Sequence, residues 1–112
     1  MDYDGDDIYC DVIVPKKVPL NIVEETDYVL AYYHTKPSWP LHIVVTPKRH
    51  VESFLELSDT DPRTQRDLLE VVAKVASMVK AKQGACRILT NLGDYQDSKH
   101  LHFHIYFGKK LH

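Results

Sequence analysis

Three histidines alternate near the C-terminus, in the run His100-Leu101-His102-Phe103-His104-Ile105-Tyr106. Imidazole titrates near neutrality. A neutral ring can therefore attack phosphorus while a protonated neighbour steadies the developing charge. Side chains alternate faces along a strand, so His100, His102 and His104 would share one face of this segment. Leu101, Phe103 and Ile105 would share the other and bury. Three imidazoles are a costly core face, because every buried ring nitrogen needs a partner. Three readings fit the triplet: a nucleophile flanked by anion-binding rings, a metal site completed by a ligand from elsewhere, or a polar sheet face without function. The chain holds seven histidines in all, the others being His34, His42, His50 and His112.

The elements that must carry this run are legible in outline. Tyr28–Tyr33 is aromatic and β-branched and reads as a strand. Thr35–Pro40 holds two prolines and reads as a loop. Leu41–Thr46 reads as the next strand, stopped by Pro47, and the two strands form an antiparallel pair. Val18–Val23, interrupted by Pro19, is expected at a sheet edge. The spacing of Leu68, Leu69, Val72, Val75, Ala76 and Val79 predicts one helix over Arg63–Gln83. Asp61 is its expected N-cap, Pro62 suits the first helical position, and Gly84 suits the residue past its end. Cys86–Thr90 reads as a strand, Asn91–Lys99 as a polar loop, and His100–Phe107 as the last strand. The order predicts an α+β domain, an antiparallel sheet of about five strands with one main helix packed on it.

A length of 112 residues fits one domain. Residues 1–7 are acidic and are expected to form a mobile tail, leaving 8–112 as the folded unit. A formal net charge of −2 gives no electrostatic case for nucleic acid as a partner. The two cysteines, Cys10 and Cys86, do not make a disulfide framework. The acidic start is followed by no apolar signal region, and no run suits a membrane span. The expected setting is cytoplasmic and reducing.

The alternating run resembles the signature of the histidine-triad (HIT) superfamily. The segment Pro40-Leu41-His42-Ile43-Val44-Val45-Thr46-Pro47-Lys48-Arg49-His50 is similar to the family's upstream strand and turn. Asp7-Ile8-Tyr9-Cys10 is similar to the start of the family domain, and Asn91 falls in its phosphate loop. The ending Gly108–His112 looks most like the Hint branch, the nucleoside phosphoramidases. The resemblance implies that His102 attacks an α-phosphorus and forms a nucleotidyl-histidine that water then hydrolyses. It implies that His104 binds phosphate oxygens, that His100 orients the site, and that His42 holds the nucleophile's tautomer. Asn91 and the loop residues Gln96, Asp97 and Ser98 would line the phosphate. Ile8, Tyr9 and Tyr32 would wall the base. The ligand would be a nucleotide or nucleotide conjugate, and the protein a homodimer with joined sheets. Two further readings stay open: a dinucleoside polyphosphate hydrolase of the Fhit kind, and a non-catalytic nucleotide- or metal-binding protein.

The chain departs from the family pattern at defined places. His34 stands where the family usually has an aspartate against the ribose hydroxyls, yet it remains a substrate-facing candidate. Asp97 replaces the serine near the leaving group, and Tyr95 replaces a glycine. Bacterial relatives often hold a structural zinc through two cysteines and two histidines. Here Cys10, His50 and His100 match three of those ligands, and Asp7 stands at the fourth. The implied reaction itself needs no cofactor.

Overall fold

The computed structural model describes residues 7–112. The expected acidic tail therefore lies, up to residue 6, outside the described residues. Asp7 departs from that expectation. It is packed against the fold, with its carboxylate facing His50 and His100.

Five strands form one sheet: β1 (Ile22–Glu25), β2 (Val29–Tyr33), β3 (Leu41–Pro47), β4 (Arg87–Leu89) and β5 (Phe103–Phe107). Their spatial order is β1-β2-β3-β5-β4, and every neighbouring pair is antiparallel. The helix α1 (Pro62–Gln83) packs on one face of this sheet. No helix among the described residues is long and apolar enough to cross a membrane.

The helix is bounded as its sequence demands. Asp61 accepts the Thr64 N–H at 3.1 Å, satisfying one of the free donors of the first turn. Gly84 closes the helix at φ +89°, a left-handed conformation that glycine adopts without strain. The buried face is Leu68, Val71, Val72, Val75 and Val79, with Ala76 partly buried beside it. Leu69 is 57% exposed, so the expected face is rotated: Val71 takes the inward position that periodicity gave to Leu69. Each fully buried Leu or Val contributes roughly 1.5–3 kcal/mol to folding.

Alternation along the strands divides their side chains between two clusters. Val29, Ala31, Ile43, Val45, Phe103 and Ile105 meet the helix. Leu30, Tyr32 and Val44 point the other way, against Tyr9, Val12 and Ile13. Those last three sit on a short helical turn, Tyr9–Ile13, closed by a Val14 N–H bond to the Tyr9 carbonyl at 2.8 Å. The i-to-i+5 bonding is the wide π type, which recurs at functional sites.

Two strand expectations are shifted. The edge strand lies at Ile22–Glu25 rather than Val18–Val23, since Pro19 can donate nothing to a ladder. The last strand begins at Phe103 rather than His100. His100, Leu101 and His102 are held by other bonds. The Leu101 N–H donates to the Val51 carbonyl at 2.6 Å. The Thr46 and Thr90 hydroxyls donate to the Leu101 and His102 carbonyls at 2.9 and 2.7 Å. The alternation survives without the ladder: Leu101 joins the helix-side core, and His100 and His102 face Tyr9.

Candidate functional site

His104 on β5 and His42 on β3 project from the sheet face opposite α1, alongside Val44 and Tyr32. Their ring nitrogens form a directed chain. The Ser38 N–H donates to His42 Nδ1 at 3.1 Å. A ring that accepts at Nδ1 carries its proton on Nε2 when neutral. His42 Nε2 lies 2.7 Å from His104 Nδ1 and so donates to it. The same logic leaves the His104 proton on Nε2. A backbone amide in the 34–41 loop thus determines which donor β5 offers two rings away.

His102 has a separate anchor. Its Nδ1 lies 2.8 Å from the His100 carbonyl, which can only accept. The Nδ1 proton is fixed there, and the Nε2 lone pair is left free. Tyr9 stacks on the ring at 4.6 Å, and His104 meets it edge-on at 4.9 Å. Burial lowers the His102 pKa below the usual imidazole value, so the ring stays neutral and nucleophilic at physiological pH. Burial, and the charges of the neighbouring rings, bring His42 down to about 4 and His104 down to about 3.

Beside these rings opens a cleft of about 700 Å³. Its apolar end is lined by Ile8, Tyr9, Val12, Ile13 and Tyr32. His34, Lys36, Asn91, Asp97, His102 and His104 line its polar end. Ser98 also reaches the cleft, and its hydroxyl is shielded from solvent with no hydrogen-bond partner among the described residues. An apolar slot leading to a few convergent polar groups is the usual build of a small-molecule site.

The sequence-derived candidates are therefore mostly brought together, with three differences. His42 bonds to His104, not to His102; the His102 tautomer is set by the His100 carbonyl instead. His100 is fully buried and does not line the cleft, so its side chain cannot reach a ligand there. Gln96 turns away, donating its side-chain amide to the Glu52 carbonyl at 2.6 Å, where it pins a loop. Ser98 lines the cleft as expected, and Lys36 is a lining residue to which sequence reasoning gave no role. A lysine in the turn after β2 carries no distinguishing signal in sequence alone.

A second cluster lies behind Tyr9. Asp7, Cys10, His50 and His100 bring one ligand atom each to within 4.8 Å of one another. His100 Nε2 is 2.8 Å from the Pro47 carbonyl and so bears a proton. Its Nδ1 lies 2.9 Å from Asp7 Oδ2 and 3.5 Å from Cys10 Sγ. A neutral ring would then point a lone pair at a carboxylate, an arrangement that a second proton or a shared cation relieves. The carboxylate, thiol and two imidazoles are a donor set suited to zinc.

A family model described as HIT domain matches residues 15–111. An uncharacterized HIT-like protein of Buchnera aphidicola is 30% identical over 101 residues, covering 88% of this chain and 89% of its own. A HIT-like protein of Bartonella henselae, described as involved in cell-cycle regulation, superposes with a TM-score of 0.79 at 28% identity. The match covers 96% of this chain and 83% of that one. A histidine triad protein of Clostridium difficile superposes with a TM-score of 0.70 at 33% identity, covering 98% and 96%.

Proposed function

This chain belongs to the HIT domain family, and from that premise we propose that it hydrolyses nucleotide derivatives at the α-phosphate, with nucleoside 5′-phosphoramidates of the Hint kind as the preferred class. The observation that carries the reading is the His102 ring, neutral, fixed at Nδ1 by the His100 carbonyl and open at Nε2 toward the cleft.

The chemistry runs in two displacements. The His102 Nε2 lone pair attacks phosphorus, the P–N bond breaks, and the nitrogen leaves as an amine after taking up a proton. Water then attacks the nucleotidyl-histidine, the N–P bond breaks, and the nucleoside monophosphate departs. His104 donates its Nε2 proton to a non-bridging phosphate oxygen, where charge grows in both transition states. Ser98 supplies a further donor, and its buried hydroxyl gains the partner it lacks. The leaving nitrogen takes its proton from solvent, and Asp97, the carboxylate of the lining, accepts a proton from the water that attacks in the second step. Tyr9, Tyr32 and Ile8 hold the base by apolar contact and stacking.

In the same reading, Asp7, Cys10, His50 and His100 hold a structural zinc. Bound there, the ion would tie the N-terminal segment to the histidine run and take no part in the reaction. Two copies are proposed to join their sheets through an edge strand, β1 or β4. Analytical ultracentrifugation tests that association.

The test of activity is turnover of adenosine 5′-phosphoramidate by the wild-type protein and by His102→Ala, with metal content recorded for both. The expected result is steady turnover by the wild type and background rates in the variant, with matching circular dichroism. Equal rates in the two proteins would exclude His102 as the nucleophile. Turnover of dinucleoside polyphosphates in preference to the phosphoramidate would move the protein to the other hydrolase class.

A further inference from the structure

Two segments supply the polar lining of the cleft. One is the catalytic run with Asn91, Asp97 and Ser98. The other is the turn after β2, which contributes His34, Thr35 and Lys36. His34 is held through both its ring and its backbone. It stacks on His42 at 4.4 Å, its backbone N–H donates to the His42 carbonyl at 2.8 Å, and its Nδ1 accepts the Lys36 N–H at 2.9 Å. Acceptance at Nδ1 puts the neutral ring's proton on Nε2, so the free edge of His34 is a donor. Lys36 is exposed and has no ion pair among the described residues.

The side chains of this turn are an imidazole, a hydroxyl and an ammonium group, with no carboxylate among them. The carboxylate of the lining, Asp97, belongs to the segment leading to β5. Sugar hydroxyls are bound well by acceptors, whereas phosphate oxygens are bound well by donors and cations. A neutral diol against His34 and Lys36 would leave the ammonium with no partner of opposite charge. A second phosphate would offer acceptors to the His34 donor and an opposite charge to Lys36.

We propose that the His34–Lys36 turn is a second anion subsite, and that the preferred substrate carries an additional phosphate group beside the one His102 attacks. The inference rests on the nucleotide reading of the cleft and deepens it. The additional phosphate has two chemical sources, the sugar or a longer 5′ chain.

Calorimetric titration separates the cases without requiring turnover. AMP, adenosine 3′,5′-bisphosphate and ADP are titrated into the wild type, Lys36→Ala and Lys36→Glu. One of the two bisphosphorylated ligands is expected to bind about tenfold more tightly than AMP, the gain of a charge-assisted contact. A gain with the 3′,5′-bisphosphate assigns the sugar, and a gain with ADP assigns the chain. The gain should vanish in Lys36→Ala and reverse in Lys36→Glu. AMP binding with no gain from either ligand, or a gain that persists in Lys36→Glu, overturns the subsite alone. Failure of all three ligands to bind overturns the nucleotide reading and the subsite together.

Discussion

At the scale of single residues, the site works by fixing protons. Each histidine of the cleft has one nitrogen committed to a defined partner, which decides what the other can do. His42 is the positioning residue with the sharpest consequence. In His42→Ala the Ser38 amide and His104 Nδ1 both lose their partner. Turnover should fall by about ten- to a hundredfold, the effect of one strong hydrogen bond. Nitrogen-15 spectra should at the same time show His104 moving from a single Nε2–H form to a mixture of tautomers. An unchanged His104 tautomer would break the chain of inference. Sequence made the rings legible, because alternation of histidine and apolar residues has few structural explanations. It did not reveal which ring bonds to which. His42 is opposite Tyr106 in the β3–β5 register, so its diagonal neighbour is His104, and a register cannot be read before strand ends are known. Gln96 was misplaced for a similar reason: a glutamine in a polar loop gives no sign of whether it serves a ligand or a backbone carbonyl.

At the scale of elements, the placement of His42 and His104 depends on how β3 is entered. Gly108 follows β5 at φ +100°, and a Cβ there would meet the Pro40 ring at 2.9 Å. Pro40 immediately precedes β3, and Trp39 stacks on Tyr106 at 3.8 Å. Gly108→Ala combines left-handed strain with a clash, so it should destabilise by about 1–3 kcal/mol and lower turnover by displacing His42. Asp61→Ala should cost about 1 kcal/mol through the lost cap, with turnover unaffected. Chemical denaturation with parallel kinetic assays separates the two effects. The helix was legible almost to the residue because its cap, its proline and its terminal glycine agree. The beginning of β5 was not. His100 and His102 have strand-like alternation, but the Leu101 and His102 carbonyls are taken by the Thr46 and Thr90 hydroxyls, and such long-range partners leave no local mark.

At the scale of the whole molecule, stability is tied to protonation and to the cluster behind Tyr9. The folded state keeps His42 and His104 neutral down to about 4 and about 3, whereas an unfolded chain protonates them near 6.5. The unfolded state then binds more protons in that interval, so stability should fall as pH drops below about 6.5 and be level above it. The denaturation midpoint between about pH 7 and 5, where ordinary carboxylates remain ionised, reads this directly. A level midpoint would contradict the burial of these rings. A bound zinc would add to stability by mass action. Chelation should therefore lower the melting temperature by about 5 °C or more, and Cys10→Ser should abolish that response. The α+β architecture was visible in the chain's order of strands and helix. The π-type turn was not, because Ile8–Val14 is apolar without a helical or strand period, and its form is set by what it packs against.

The central claim is that a covalent bond forms between phosphorus and His102. Rapid acid-free quenching of the protein with adenosine 5′-phosphoramidate, followed by mass spectrometry of its peptides, tests it most directly. The account predicts one adenylyl group on the peptide holding His102, formed and lost at rates compatible with turnover and absent in His102→Ala. Turnover without any such adduct, or an adduct that persists in the variant, would contradict it.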